Sequence, residues 1–170
     1  MLIYDSKKGG TKEIVQLIAD QLKQSVNIFP VDDIQLADQL SDAAQLVFCA
    51  PAYAGQLRKP TRQFLKKYES VFKEKELYLV NTGIQFDQEK VDVQLENIFP
   101  KALYKHAKLI IFAGTITRLE KMNFFERMIL KKIFKDENIP FDVHHPYKKI
   151  NQENIQFLVD KLNSENVYSR

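Results

Sequence analysis

A chain of 170 residues that is 45% hydrophobic and 28% charged has the make-up of one soluble globular domain and is too short for two ordinary ones. A net charge of +3 argues against a nucleic-acid partner, and the lone Cys49 excludes an internal disulfide framework and points to a reducing compartment. The opening Met1-Leu2-Ile3-Tyr4-Asp5 lacks the basic start of a signal peptide, and no run approaches the ~20 apolar residues of a spanning helix. The expectation is a single domain over 1–170 in the cytoplasm.

Apolar runs alternate with helical stretches. Leu2-Ile3-Tyr4 reads as a short first strand. Thr11 to Gln24 carries Ile14, Val15, Ile18 and Leu22 at helical spacing. Val26 to Val31 is a second strand, and Gln45 to Ala50 a third, apolar enough to be buried on both faces. Pro60 sits where a helix can begin, continued by Phe64, Leu65, Tyr68 and Phe72. Glu76 to Asn81 and Lys108 to Ala113 are the fourth and fifth strands. A last helix runs from Glu153 to Leu162, with Ile155, Leu158, Val159 and Leu162 inward. No repeat or linker interrupts the chain. Strands alternating with helices demand parallel pairing and right-handed crossovers. The predicted fold is therefore α/β, a three-layer α/β/α sandwich around a five-stranded parallel sheet.

Doubly wound sheets bind ligands at the carboxyl ends of their strands, where strand order reverses. The first such loop reads Ser6-Lys7-Lys8-Gly9-Gly10-Thr11. Its glycines allow backbone N–H groups to turn inward, the following helix adds its positive end, and Ser6, Thr11 and the lysines are further donors. These residues alone are equally compatible with a tight turn N-capped by Thr11. The loop is neither a P-loop nor a dinucleotide fingerprint, which leaves a mononucleotide phosphate as the ligand to test. Together with Lys12-Glu13-Ile14, the segment resembles the phosphate loop of the flavodoxin-like superfamily, Ser/Thr-x-Thr-Gly-x-Thr followed by a helix, with Lys8 in place of a hydroxyl residue. The resemblance implies sheet order 2-1-3-4-5 and FMN as cofactor.

Two further loops fit that expectation. Pro51-Ala52-Tyr53-Ala54-Gly55 resembles the family segment beside the isoalloxazine ring. Tyr53 can supply an aromatic wall, and the Ala54-Gly55 peptide an adjustable amide near the ring's polar edge. After the fourth strand, Asn81, Thr82, Gly83 and Phe86 lie where the family reaches the ring's other face. Against these stand a plain connector and, for Phe86, ordinary packing.

The most unusual stretch runs from 118 to 135. On a helical wheel Met122, Phe125, Ile129 and Ile133 form one stripe, the expected core face. Phe124, Met128, Leu130 and Phe134 fall outside it among Arg127, Lys131, Lys132 and Lys135. The extra apolar residues read either as packing, under loops or in a homodimer, or as a surface for a quinone, a porphyrin-like substrate or an anionic membrane. Ala113-Gly114, Arg118 and Phe125-Glu126-Arg127-Met128-Ile129 are similar to the quinone-linked protoporphyrinogen IX dehydrogenase branch of the superfamily. That similarity implies an FMN-dependent dehydrogenase acting on a hydrophobic substrate, with Arg118, Phe124, Arg127 and Met128 at the substrate or partner surface. The alternative is a one-electron carrier between redox partner proteins. Adjacent His144 and His145 lack metal-ligand spacing, so no metal is expected, and Cys49 reads as a small core residue.

Overall fold

A computed structural model describes residues 1–33 and 35–165; Ile34 and the last five residues of the expected domain lie outside the described residues. Five parallel strands form the main sheet in the order β2-β1-β3-β4-β5: β1 (Leu2–Tyr4), β2 (Ile28–Pro30), β3 (Gln45–Pro51), β4 (Glu76–Thr82) and β5 (Leu109–Phe112). The central strands β3 and β4 pair over seven residues and are buried from their second residue onward, which explains their unbroken apolar runs. Alternate residues feed two cores. Leu2, Tyr4, Val47, Tyr78 and Val80 meet Ile14, Val15, Ile18, Ile155, Leu158 and Leu162 on one face. Ile3, Leu46, Phe48, Leu77 and Leu79 meet Leu36, Leu40, Leu65, Phe72 and Leu103 on the other.

The first layer consists of α1 (Gly10–Ala19) and α8 (Gln152–Glu165), and the other side carries α2 (Leu36–Leu40), α3 (Lys59–Lys67) and α4 (Glu69–Lys73). Two helices not expected from the sequence follow β4: α5 (Gln88–Ile98) and α6 (Lys101–His106), parted by Pro100. Asp87 starts α5 by accepting from the N–H groups of Glu89 and Lys90. The first helix ends five residues before the expected Gln24. The edge strand β2 is shorter than Val26–Val31, because only three of its residues pair with β1.

A second, two-stranded sheet was also not expected. After β5 the chain passes through Ala113 into β6 (Gly114–Thr117), which pairs antiparallel with β7 (Tyr147–Ile150). Between them lies α7 (Phe124–Asp136), opened by a capping box in which Asn123 and Glu126 satisfy each other's backbone N–H. The predicted core stripe of this helix is corrected: Phe125 and Ile129 are 69% and 58% exposed, while Phe134 is fully buried. Three anchors turn the helix this way. Glu126 pairs with Lys8, Arg127 donates to the carbonyls of Leu119 and Glu120, and Phe134 packs on Tyr147 at 4.8 Å and on Phe141. No described helix is long and apolar enough to cross a membrane.

Candidate functional site

The turn from β1 to α1 is built by its two glycines in different ways. Gly9 sits at φ 91°, a left-handed conformation that costs other residues energy, and marks the start of α1. Gly10 has ordinary dihedrals but lies so close to β6 that a Cβ would fall 1.9 Å from the Ile116 carbonyl oxygen. The Ser6 hydroxyl oxygen accepts from the N–H groups of Gly9 (3.1 Å) and Lys12 (3.3 Å), which shapes the turn from within. The N–H groups of Lys8, Gly10 and Thr11 find no acceptor among the described residues. They lie at the positive end of a ten-residue helix.

Cations gather over these amides. Lys7 and Lys8 belong to the loop, and a Cβ on Gly9 would have the Arg118 Nε and Lys121 Nζ each 3.8 Å away. Arg118 is held by Glu13 and lies 3.7 Å from Glu120. Unpartnered amides at a helix start, with Arg118 and Lys121 beside them and cationic charge in the loop itself, together partly offset by Glu13, Glu120 and Glu126, fit a phosphate group. Thr11 is turned elsewhere: its buried hydroxyl lies 2.9 Å from that of Thr82 and joins the loop to the end of β4.

Glu126 enters the same place from α7. The Lys8 ammonium beside it, with the Asn123 N–H, holds its carboxyl below the ordinary glutamate value of 4.5 despite some burial. A depressed pKa in the folded state stabilises the protein above the unfolded value and is lost as pH falls through the folded one. Glu126→Gln is therefore expected to be less stable than the parent at pH 7, by a margin that vanishes in acid below the ordinary glutamate range. Denaturant unfolding at stepped pH checks this; a margin that persists in acid would place the effect in packing instead.

Beneath the loop is a group that the sequence reading missed. Asp5, 1% exposed, accepts both nitrogens of the Arg58 fork and the Thr61 hydroxyl. A buried acid requires such partners, and Arg58 and Thr61 stand three apart at the start of α3. Tyr53 lies over this network: burial pushes its phenol up, Asp5 adds to that, and Arg58 and the Lys7 N–H oppose it.

Residues 53–56 form a tight reverse turn. The N–H of Tyr53 donates to the Gln56 carbonyl (2.9 Å) and the N–H of Gln56 returns the bond (3.0 Å). Ala54 and Gly55 occupy φ 48° and 75°, both left-handed, and both are exposed. An alanine there is strained by ~1 kcal/mol. Ala54→Gly is expected to raise stability by about 0.5–1 kcal/mol, read as a higher denaturation midpoint; a drop would show that the turn is not under strain. Pro51 ends β3 buried, and the N–H of Ala52 donates to the Thr82 carbonyl at 2.8 Å, so the second loop abuts β4.

At the third loop the side chains are largely spent on structure. Asn81 donates to the Ala50 carbonyl and accepts from Gln94, and Gly83 donates its N–H to the Gly114 carbonyl. The Phe86 ring turns to the second sheet, 6.5 Å from Tyr147 and beneath the Lys149 ammonium at 4.5 Å. Phe124 and Met128 stand 75% and 54% exposed on α7. Cys49 is fully buried and its thiol is pushed far up by desolvation, the state of an inert core residue.

A parallel sheet of order 2-1-3-4-5, with a cationic loop at the end of β1 beside the reversal of strand order, defines a doubly wound α/β domain of the mononucleotide-binding type. Residues 1–143 match the Flavodoxin domain family, and the chain belongs to that family. Among solved structures, the chain is similar to a short-chain flavodoxin associated with a non-canonical PDU bacterial microcompartment, with 16% identity, a TM-score of 0.53, and 98% and 94% of the two chains covered. It is also similar to a flavodoxin from the domain Archaea, at 13% identity and a TM-score of 0.52 over 98% and 97%. A flavodoxin from Fusobacterium nucleatum bound to flavin mononucleotide is 21% identical with a TM-score of 0.47, and the match spans 65% of this chain and 66% of that one. No curated protein matches the chain.

Proposed function

We propose that this domain binds FMN with its phosphate on Ser6-Lys7-Lys8-Gly9-Gly10-Thr11 and acts as a redox protein. The observation that carries the reading is the set of open N–H groups at Lys8, Gly10 and Thr11 beside the side chains of Arg118 and Lys121. Bound FMN supplies the electron chemistry; the chain supplies binding and surroundings. The loop cations and amides hold the phosphate. Ser6 keeps the loop in shape through Gly9 and Lys12, and the Thr11–Thr82 contact fixes it to the sheet. Tyr53 and the exposed Ala54-Gly55 peptide are the groups offered to the ring, together with the backbone at Thr82-Gly83. Asp5, through Arg58 and Thr61, positions the second loop rather than touching the cofactor.

The finer reading is a dehydrogenase that passes electrons between a hydrophobic substrate, of quinone or porphyrinogen type, and an acceptor. It is supported by the outward face of α7, where Phe124, Phe125, Met128 and Ile129 are all more than half exposed beside Lys131, Lys132 and Lys135. Glu126 ties that same helix to Lys8 of the phosphate loop, so the helix stands beside that loop. A hydrophobic partner or an anionic membrane surface suits such a face. In stopped-flow oxidation of the reduced, FMN-loaded protein by a soluble quinone, rapid turnover is expected. Met128→Glu is expected to slow it at least about tenfold, ~1.4 kcal/mol of barrier, while FMN affinity is unchanged. Slow oxidation that Met128→Glu does not alter would favour the carrier between proteins.

A further inference from the structure

A cavity of about 400 Å³ lies away from the phosphate loop. It opens between the turn from β4 to α5 and the β6–β7 ribbon, at the carboxyl ends of β4 and β5. Its volume lies at the small end of the ~300–1,000 Å³ typical of ligand pockets. Two aromatic rings, Phe86 and Tyr147, form a wall with centroids 6.5 Å apart, and Phe112 and Val91 add apolar surface.

The polar side carries one cation and two acids, which differ in how far they are already engaged. The Lys149 ammonium stands 4.5 Å above the Phe86 ring and has no ion-pair partner among the described residues. Two acids line the cavity. Asp87 is committed to the start of α5 and to Lys90 at 3.3 Å, and Glu153 stands in the first turn of α8, where an acid serves that helix. A cation held over an aromatic face, beside a second ring and with no acid of its own, is complementary to a flat molecule carrying a negative group.

We propose that this cavity binds a one- or two-ring aromatic carboxylate, its ring against Phe86 and Tyr147 and its charge paired with Lys149. Within the redox reading, a compact aromatic acid is the substrate class that matches this volume. Gly83 lines the cavity, and a Cβ there would lie 3.6 Å from Ala52 of the second loop, while the neighbouring Thr82 reaches Thr11 of the phosphate loop. A molecule held here would lie beside the cofactor loops. None of the lining residues belongs to the phosphate loop, so the inference does not depend on FMN binding.

The probe is 2-naphthoate, with the uncharged 2-naphthylmethanol as its counterpart, titrated calorimetrically into purified protein with and without added FMN. Saturable one-to-one binding of 2-naphthoate is expected. Lys149→Ala should weaken it about tenfold, and Lys149→Arg should keep it within about threefold. Phe86→Ala should weaken both probes, whereas Lys149→Ala should leave 2-naphthylmethanol unchanged. Lys149 is exposed, so its variants should retain the parent melting temperature. Failure of 2-naphthoate to saturate, binding that survives both Lys149→Glu and Phe86→Ala, or binding lost instead in Phe125→Glu on α7 would overturn the proposal. Loss of FMN binding alone would count against the proposed cofactor and leave this site standing.

Discussion

Gly10→Ala is expected to cost about 3 kcal/mol of stability and to abolish FMN binding in whatever fraction still folds. The backbone of Gly10 is unstrained, so the loss comes entirely from space. The added methyl group would sit 1.9 Å from the Ile116 oxygen and 3.1 Å from its carbonyl carbon, and both belong to the backbone of β6. A flexible side chain can swing away from such an intrusion, but a strand paired along four residues with β7 cannot. Either α1 lifts from the ribbon or the ribbon lifts from α1. Both movements pull the amides of Gly10 and Thr11 away from Arg118 and Lys121, so stability and phosphate binding should fall together. Gly9→Ala is the internal control. Its methyl group would meet only the tips of Arg118 and Lys121, 3.8 Å away, so its penalty is the left-handed φ alone, about 1–2 kcal/mol. Denaturant unfolding of the two variants separates the causes. A Gly10→Ala midpoint equal to the parent's would show that β6 does not press on the loop.

Gly114→Ala should be at least as damaging, at about 3–5 kcal/mol, because both penalties coincide there. Its φ is 82°, and a Cβ would lie 2.0 Å from the Lys149 oxygen and 3.0 Å from the Asn151 nitrogen. Gly114 is where the chain leaves the main sheet for the ribbon, and its carbonyl accepts from the Gly83 N–H at 2.9 Å. The damage should be local first. Hydrogen exchange is expected to accelerate in β6 and β7 while β3 and β4, buried at the centre, stay protected. Uniform acceleration would mean that the ribbon and the main sheet unfold as one unit. The ribbon brings Arg118 to the phosphate loop, so FMN affinity should fall as well.

The parts of the fold that could be read from the sequence are those where burial dictates residue type. Strands β3 and β4 are covered on both faces, so Leu46 to Ala50 and Leu77 to Val80 are uniformly apolar and unmistakable. The inner faces of α1 and α8 show plain helical spacing for the same reason. The ribbon was hidden because its buried positions include Thr115 and Thr117, which satisfy each other at 2.8 Å, and its second strand is Tyr-Lys-Lys-Ile. Helix α5 was hidden because its pattern is weak: Val91 is buried while Val93 is 60% exposed. Helix α7 pointed the wrong way because apolar spacing locates a stripe and not what covers it. The Glu126–Lys8 pair, the Arg127 bonds to the Leu119 and Glu120 carbonyls and the packing of Phe134 decided its orientation, and most of these depend on tertiary contact.

The candidate site divides along the same line. Gly9 and Ser6 stood out in the sequence because each acts through its own backbone or its immediate neighbours, whereas Gly10 and Lys8 are explained by Ile116 and Glu126, more than 100 positions away. The Asp5–Arg58–Thr61 group spans 56 positions and left only one local trace, an acid at the end of a buried strand. Lys121, just before α7, and Glu126, in its first turn, reach the loop from a stretch whose position no local pattern specifies. Thr11 was legible as a hydroxyl, but its engagement with Thr82 was not. Phe86 belongs to the aromatic group around Tyr147, which sequence distance concealed.

The central claim is that the loop at Ser6–Thr11 holds a phosphate, and FMN against riboflavin tests it most directly, since the two differ only in that group. Protein freed of bound flavin and titrated with each should take up one FMN per chain. Riboflavin should bind at least about 100-fold more weakly, because two or more charge-assisted hydrogen bonds are absent. Equal affinity for the two, or no binding of FMN, would contradict the account.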